Sequence, residues 1–263
     1  MAPNPAVEEY RKLRQKLEVM IEHDQGDSAE ADALRDEMDG PWYRMTEAEQ
    51  KEWQHEPKTE RLTIALDVDD VLHPFNATLR QWCIDQGLAN YPWEALVSFN
   101  LHEVWNCTEE EAMDRLDRFY ASKAFKDSGP PPLMQAVTSI LAERHRLIAI
   151  SARPLFLRNF TKAWVFANYP QVKTCRVIGN GPNVRNSQSF TKATYCKLSN
   201  VAIIVEDAPY HAKDLLAAHI PVIMPRYPWN KDFTNTVAGG ILYKVDGLAD
   251  IPKAVEAVSR MRR

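Results

Sequence analysis

The sequence predicts an α/β protein: a doubly wound (Rossmann-like) parallel sheet with an inserted helical cap and an N-terminal helical extension. Three observations carry that expectation. From residue 60 onward, short apolar runs alternate with helical segments, as buried parallel strands alternate with the crossover helices that cover them. About 80 residues separate the first two runs, far more than one crossover helix needs. Ahead of residue 58 the chain is highly charged, and its apolar residues recur at helical spacing.

The extension is assigned to residues 1–57. In VEEYRKLRQKLEVMIEHDQG, Tyr10, Leu13, Leu17 and Met20 make one apolar stripe on a charged helix. Asp27 with Glu30, and Thr46 with Glu49, have capping-box spacing and would start two further short helices, with Pro41 separating them. The stripe needs a cover. The body of the protein supplies it in one reading; a second copy of the chain, making a homodimer through these helices, supplies it in the other.

The α/β core is assigned to residues 58–74 and 131–263. LTIAL (62–66), LIAI (147–150), CRVI (175–178), VAIIV (201–205) and VIM (222–224) read as buried strands, and 155–168, 191–199 and 209–218 as helices. Residues 75–130 are the cap. There Thr108 and Glu111 start a helix whose face continues through Ala112, Leu116 and Phe119, and GPPPL (129–133) returns the chain to the sheet. Of the aromatic residues Phe75, Trp82, Trp93, Phe99, Trp105, Phe119 and Tyr120, most are expected in the cap's own core, with one or two facing a planar substrate.

Composition narrows the function classes. With 45% hydrophobic and 26% charged residues over 263 positions, the chain is long enough for one full core plus an appendage. A net charge of −4 and a pI near 6.0 argue against polymeric nucleic acid, which needs a basic face to displace counterions. Cys83, Cys107, Cys175 and Cys196 lie far apart without metal-ligand spacing, so they read as reduced thiols in a cytoplasmic protein. No signal-peptide core and no apolar run of membrane-spanning length is present, so no membrane partner is expected and the sequons at Asn76 and Asn106 carry no meaning.

The polar residues cluster at strand ends. Asp67 and Asp69 follow the first strand, Ser151 and Arg153 the second, and Glu206 and Asp207 the strand at 201–205. In open parallel sheets ligands bind outside the carboxyl ends of the strands, where strand order reverses. Two carboxylates about 4 Å apart repel by roughly 4 kcal/mol at an effective dielectric near 20, so this set needs a cation. The donors are hard oxygens and few, which suits Mg²⁺ better than a calcium cage. Mg²⁺ and Lys192 would neutralise a phosphate whose oxygens are held by Ser151, Ala152 and Arg153. Asp67 would attack phosphorus, and Asp69 would protonate the leaving oxygen and later activate water.

These residues resemble the haloacid dehalogenase-like (HAD) phosphohydrolases. LDVDDV is similar to that superfamily's first motif, Ser151 in ISARP to its second, Lys192 to its third and VEDAPYHA to its fourth, over roughly residues 60–235. DVDDVL, VWNCTEEEA, SARP and RYPWNK (226–231) together look most similar to the 5'(3')-deoxyribonucleotidase group, whose members carry a helical cap after the first motif. The resemblance implies Asp67 as nucleophile and metal ligand, and Asp69 as acid/base that ligates the metal through its backbone carbonyl. It implies Ser151 and Lys192 as phosphate ligands and Asp207 as the direct acidic metal ligand, with Glu206 in the outer sphere or sharing that role. Position 70 is Asp where glycine is frequent in the superfamily, and it reads as a turn or helix-start residue pointing away; Lys197 competes with Lys192 for the third motif.

The first functional reading is therefore a deoxyribonucleoside monophosphate phosphatase. A phosphatase for another small phosphomonoester, such as a sugar phosphate, rests on the same four motifs, because the cap chooses the substrate. A catalytically idle HAD scaffold used for binding is the third. Nicotinamide binding is disfavoured, because GNGPN (179–183) lacks the G-x-G-x-x-G spacing and reads as a turn, and no P-loop is present.

Overall fold

Ile64, Ala65 and Leu66 are fully enclosed, because β1 (Thr63–Asp67) lies in the interior of a parallel sheet with a strand on each side. The computed structural model describes residues 4–22, 28–50, 61–98, 100–179, 181 and 190–262. The other strands are β2 (Arg146–Ser151), β3 (Val172–Val177), β4 (Val201–Val205), β5 (Val222–Pro225) and β6 (Leu242–Val245). Their order is β3-β2-β1-β4-β5-β6, with every pairing parallel. This is the doubly wound order, and it reverses between β1 and β4.

Side-chain alternation along β1 feeds two cores. Ile64 and Leu66 pack with Met134 and Val137 of α8 (Pro132–Ala142), Trp164 and Val165 of α9 (Arg158–Asn168), and Val255 and Val258 of α12 (Ile251–Met261). Ala65 faces the opposite side, with Cys196 of α10 (Lys192–Leu198) and Leu215 of α11 (Pro209–Ala217). All four cysteines are unpaired, and Cys83, Cys175 and Cys196 are buried. Among the described residues, no helix is long and apolar enough to cross a membrane.

The strand expectations need two corrections at the sheet's edges. β3 starts at Val172, three residues ahead of CRVI, because it is an edge strand whose buried Val172, Cys175 and Val177 are separated by exposed or half-exposed Lys173, Thr174 and Arg176. β6, at the other edge, has only Val245 buried and carries no apolar run to announce it. The helix expected over 155–168 opens with a 3-10 turn at Leu155–Leu157 before α9.

Between β1 and α8 the chain forms α4 (Phe75–Asp85), a 3-10 turn at Trp93–Ala95, α5 (Leu101–Trp105), α6 (Glu109–Ala121) and α7 (Lys123–Lys126). Thr108 and Glu111 close a reciprocal capping box at the start of α6: Glu111 N–H donates to Thr108 Oγ1 at 3.2 Å and Thr108 N–H to Glu111 Oε2 at 2.8 Å. Leu79, Trp82, Leu116, Phe119 and Phe125 form a third core, with Phe119 and Phe125 edge-to-face at 5.3 Å.

The chain divides into two compact units, Met1–Glu60 and Arg61–Arg263; the expected boundary at residue 57 falls outside the described residues. The first unit pairs α1 (Pro5–Glu22) with α2 (Ala29–Arg44) and begins α3, described over 47–50. The Tyr10 ring lies 5.3 Å from that of Trp42, so part of the stripe on α1 is covered by α2. The N-cap of α2 is Ser28, which accepts from Ala31 N–H at 3.2 Å; Asp27 lies outside the described residues. Pro41 does not separate two helices. It lies inside α2, where a missing N–H costs one bond near the helix end, and Gln50 Nε2 holds the last turn by donating to Trp42 O at 2.7 Å. The Thr46 and Glu49 box starts α3 as expected, Thr46 N–H donating to Glu49 Oε2 at 2.8 Å.

Candidate active site

Register brings the acidic residues together. Leu66 pairs with Val205, so the next residues, Asp67 and Glu206, leave the sheet side by side; Asp67 in turn pairs with Ile150, one residue before Ser151. Beside them lies a cleft of about 810 Å³, its mouth included, which Asp67, Asp69, Ala152, Arg153, Lys192 and Asp207 help to line, while Ser151 and Glu206 are fully buried behind it.

Lys192 is the first residue of α10, whose N-cap Thr191 accepts from Thr194 N–H at 3.1 Å. Its ammonium lies 2.6 Å from Asp67 Oδ1 and 2.7 Å from Glu206 Oε2, all three side chains being buried. The two carboxylates raise the Lys192 pKa in spite of burial, which acts the other way and is the largest single influence. Lys197, the other candidate, is exposed on the same helix. Glu206 also accepts from Ala208 N–H at 3.1 Å, and Asp207 accepts from Trp229 Nε1 at 2.9 Å.

Carboxylate oxygens of Asp67, Glu206 and Asp207 lie within 4.8 Å of one another. Burial raises the pKa of both Glu206 and Asp207, reinforced at Glu206 by the charge of Asp67 and at Asp207 by that of Asp70. One ammonium faces three clustered carboxylates, so the cluster carries surplus negative charge on hard oxygen donors. That set fits Mg²⁺.

Asp69 stands apart from Lys192. Its carboxylate is gripped by Arg153, with Nε 3.0 Å from Oδ1 and 3.1 Å from Oδ2, and Nη2 2.6 Å from Oδ1. Burial raises its pKa and Arg153 opposes the rise. Ser151 is fully buried, and its Oγ accepts the N–H of Arg153 at 3.1 Å. The backbone N–H of Arg153 is thus directed at Ser151, and its side chain at Asp69.

Asp70 differs from expectation in one respect. It does serve a helix start: its carboxylate accepts from Asn76 N–H at 2.9 Å and Asn76 Nδ2 at 2.6 Å, capping α4, which has no side-chain cap at Pro74. It does not point away, however, but lines the cleft, held there by a left-handed φ of 58°. Of the insertion's aromatic residues, Phe75 and Tyr120 reach the cleft; Trp82, Trp105 and Phe119 stay in the insertion's core, and Trp93 packs edge-on to Trp229 at 5.5 Å. Phe99 lies outside the described residues, as do Asn180, Pro182 and Asn183 of GNGPN, although Gly181 lines the cleft.

This arrangement has solved counterparts. A haloacid dehalogenase-like family hydrolase from Streptococcus pneumoniae superposes with a TM-score of 0.54 at 12% identity, over 75% of this chain and 99% of the other. A protein described as a predicted phosphatase from Clostridium acetobutylicum gives 0.51 at 15% identity, over 75% and 99%. A haloacid dehalogenase-like hydrolase from Xanthomonas campestris gives 0.50 at 13%, over 76% and 96%. The fold is haloacid dehalogenase-like. No protein-family model and no curated protein matches the sequence, so the likeness is carried by the backbone.

On this HAD-like fold the four sequence segments singled out above converge on one sheet edge. Sequence reasoning missed Trp229, which donates to Asp207, and Asn76, Ser98 and His211, which line the cleft. Trp229 was within reach, since RYPWNK follows β5 at the same edge and the strand-end rule applies to it equally. Asn76 and Ser98 carry no such signal, because an insertion places them there. Burial and the nearby Lys192 charge hold His211 neutral, well below the usual histidine range.

Proposed function

We propose that the protein is a Mg²⁺-dependent phosphomonoester hydrolase acting through an aspartyl-phosphate on Asp67, with nucleoside monophosphates as substrates, a 5'(3')-deoxyribonucleotidase activity. One observation carries the reading: Asp67 stands at the reversal point of the sheet, 2.6 Å from a buried lysine and beside a surplus of carboxylate, with Asp69 two residues on at the same cleft. The solved proteins of this fold that are named hydrolase or phosphatase support the class. Phe75, Tyr120 and Trp229 in the cleft favour a leaving group that carries a planar base over a bare sugar.

The residues divide the work as follows. Asp67, Asp207 and the Asp69 backbone carbonyl would hold the Mg²⁺, with Glu206 behind or sharing the position, and the ion supplies positive charge to the phosphoryl oxygens. Asp67 attacks phosphorus, and the ester P–O bond breaks as Asp69 gives its proton to the leaving oxygen. Water then attacks phosphorus while Asp69 takes its proton, the bond to Asp67 breaks, and inorganic phosphate leaves. Lys192 holds Asp67 in place through its ion pair, while Ser151 and Ala152 hold phosphoryl oxygens.

In this reading residues 75–130 are the cap that selects the substrate, and the enzyme works in the cytoplasm. The N-terminal helices join two copies of the chain; Val19 and Tyr43, exposed by 51% and 78%, are apolar surface that such a contact would cover.

The test is phosphate release from dUMP, dTMP, ribonucleoside monophosphates and sugar phosphates, with Mg²⁺ and with chelator. Release from nucleotides that requires Mg²⁺, falling at least about 10³-fold in Asp67→Asn, is expected. Mg²⁺ should also raise the melting temperature by mass action, and less so in Asp207→Asn. Preference for a sugar phosphate withdraws the nucleotide assignment alone; no release from any of them overturns the proposal.

A further inference from the structure

Arg153 was placed among the phosphate ligands on sequence, but its contacts lead elsewhere. The guanidinium spends Nε and Nη2 on the Asp69 carboxylate, at 2.6 to 3.1 Å, and Nη1 on Thr161 Oγ1 at 3.3 Å. The Arg153 side chain is 1% exposed whereas that of Asp69 is 27% exposed. One face of the guanidinium lies over the Phe125 ring at 4.9 Å, with the Phe75 ring at 5.9 Å. Both rings belong to the insertion. Its main chain is tied by the N–H bond to Ser151 Oγ.

A buried, forked and fully oriented cation therefore holds a half-open carboxylate. Asp69 lies two residues beyond the end of β1, its backbone in an isolated bridge with His73 and its carboxylate held by Arg153. A bidentate pair fixes the plane and direction of a carboxylate as well as neutralising it. We infer that Arg153 is a positioning residue that acts through Asp69, aiming the carboxyl group at the leaving oxygen, and that it is not a ligand of the substrate phosphate. The inference rests on the phosphomonoesterase reading above and deepens it.

Leaving groups separate the two roles. An alkyl ester such as a nucleoside 5'-monophosphate needs a proton on its departing oxygen, whereas 4-nitrophenyl phosphate expels a stable anion that does not. The quantity to compare is kcat/KM, which reports the step in which the ester bond breaks, before water attacks. Asp69→Asn sets the reference: a large loss on the alkyl ester and a small one on the aryl ester.

Arg153→Met is expected to lose about tenfold to a hundredfold in kcat/KM on the alkyl ester and under about threefold on the aryl ester. In the Asp69→Asn background the same change should cost under about threefold on either, because the group it acts through is gone. Arg153→Lys keeps the charge without the fork, so it should show the same asymmetry, and it decides the matter should Arg153→Met not fold. Equal losses on both esters, full additivity with Asp69→Asn, or restoration by lysine overturns the inference in favour of phosphate binding. A wild-type protein that hydrolyses neither ester overturns the phosphomonoesterase reading itself, and this inference with it.

Discussion

A lysine in the first turn of a helix meets the positive end of the helix dipole, yet Lys192 stands there 1% exposed. The two buried carboxylates it touches outweigh that penalty, so its position makes sense only through Asp67 and Glu206. His73 is a contrasting buried titratable residue. Among the described residues neither of its ring nitrogens has a hydrogen-bond partner, and it packs edge-on to Trp164 at 4.8 Å. Burial, helped by Arg153, pushes its pKa down from 6.5 to about 2. Between those values the unfolded chain binds a proton that the native state refuses, so stability rises with pH through the window and is lost as pH falls below 6.5. From pH 7 to pH 5 this residue should cost the native state about 2 kcal/mol. Urea unfolding of the wild type and His73→Leu at both pH values checks it: the stability difference between them should shift by that amount, the wild type losing more, and a pH-independent difference removes the assignment.

At the scale of elements, the start of α4 is the least conventional feature. The helix begins behind Pro74 with no cap of its own, and Asp70, six residues before Asn76, reaches forward to supply one. That reach requires the left-handed backbone at Asp70, with φ of 58°. Replacing the residue loses the cap in either Asp70→Gly or Asp70→Ala, but only alanine also resists the backbone. Thermal or urea unfolding should find Asp70→Gly more stable than Asp70→Ala by about 1 kcal/mol, and equal stabilities would show that the conformation is not required. Interior elements were legible in the sequence: β4 is an unbroken apolar run, and β1 is apolar from Ile64 to Leu66, because both faces of a central strand are covered. β3 and β6 were harder to read, because an edge strand keeps polar residues on its open side. The Thr108 and Glu111 box was readable because a cap is local chemistry, whereas Pro41 within α2 was not, because contacts from Gln50 and Tyr10 hold the turn beyond it.

At the scale of the whole molecule, the three large apolar cores all belong to the unit from Arg61 onward. A chain lacking residues 1–60 should therefore fold, and under the proposed function it should release phosphate as the full chain does. If the N-terminal helices join two copies, light scattering should show the full chain as a dimer and the shortened one as a monomer; an unchanged state removes that interface. The sequence by itself determined the parallel α/β core, the run of helices between β1 and α8 and the placing of Asp67, Asp69, Ser151, Lys192, Glu206 and Asp207 near strand and helix ends, because hydrophobic period and turn chemistry are local properties of a chain. Tertiary structure alone decided that Lys192 bridges Asp67 and Glu206, that Trp229 holds Asp207, that Asp70 faces the cleft and that Arg153 grips Asp69. Arg153 and Asp69 are 84 residues apart. A contact over such a distance follows from strand order and register, and no window of sequence contains both.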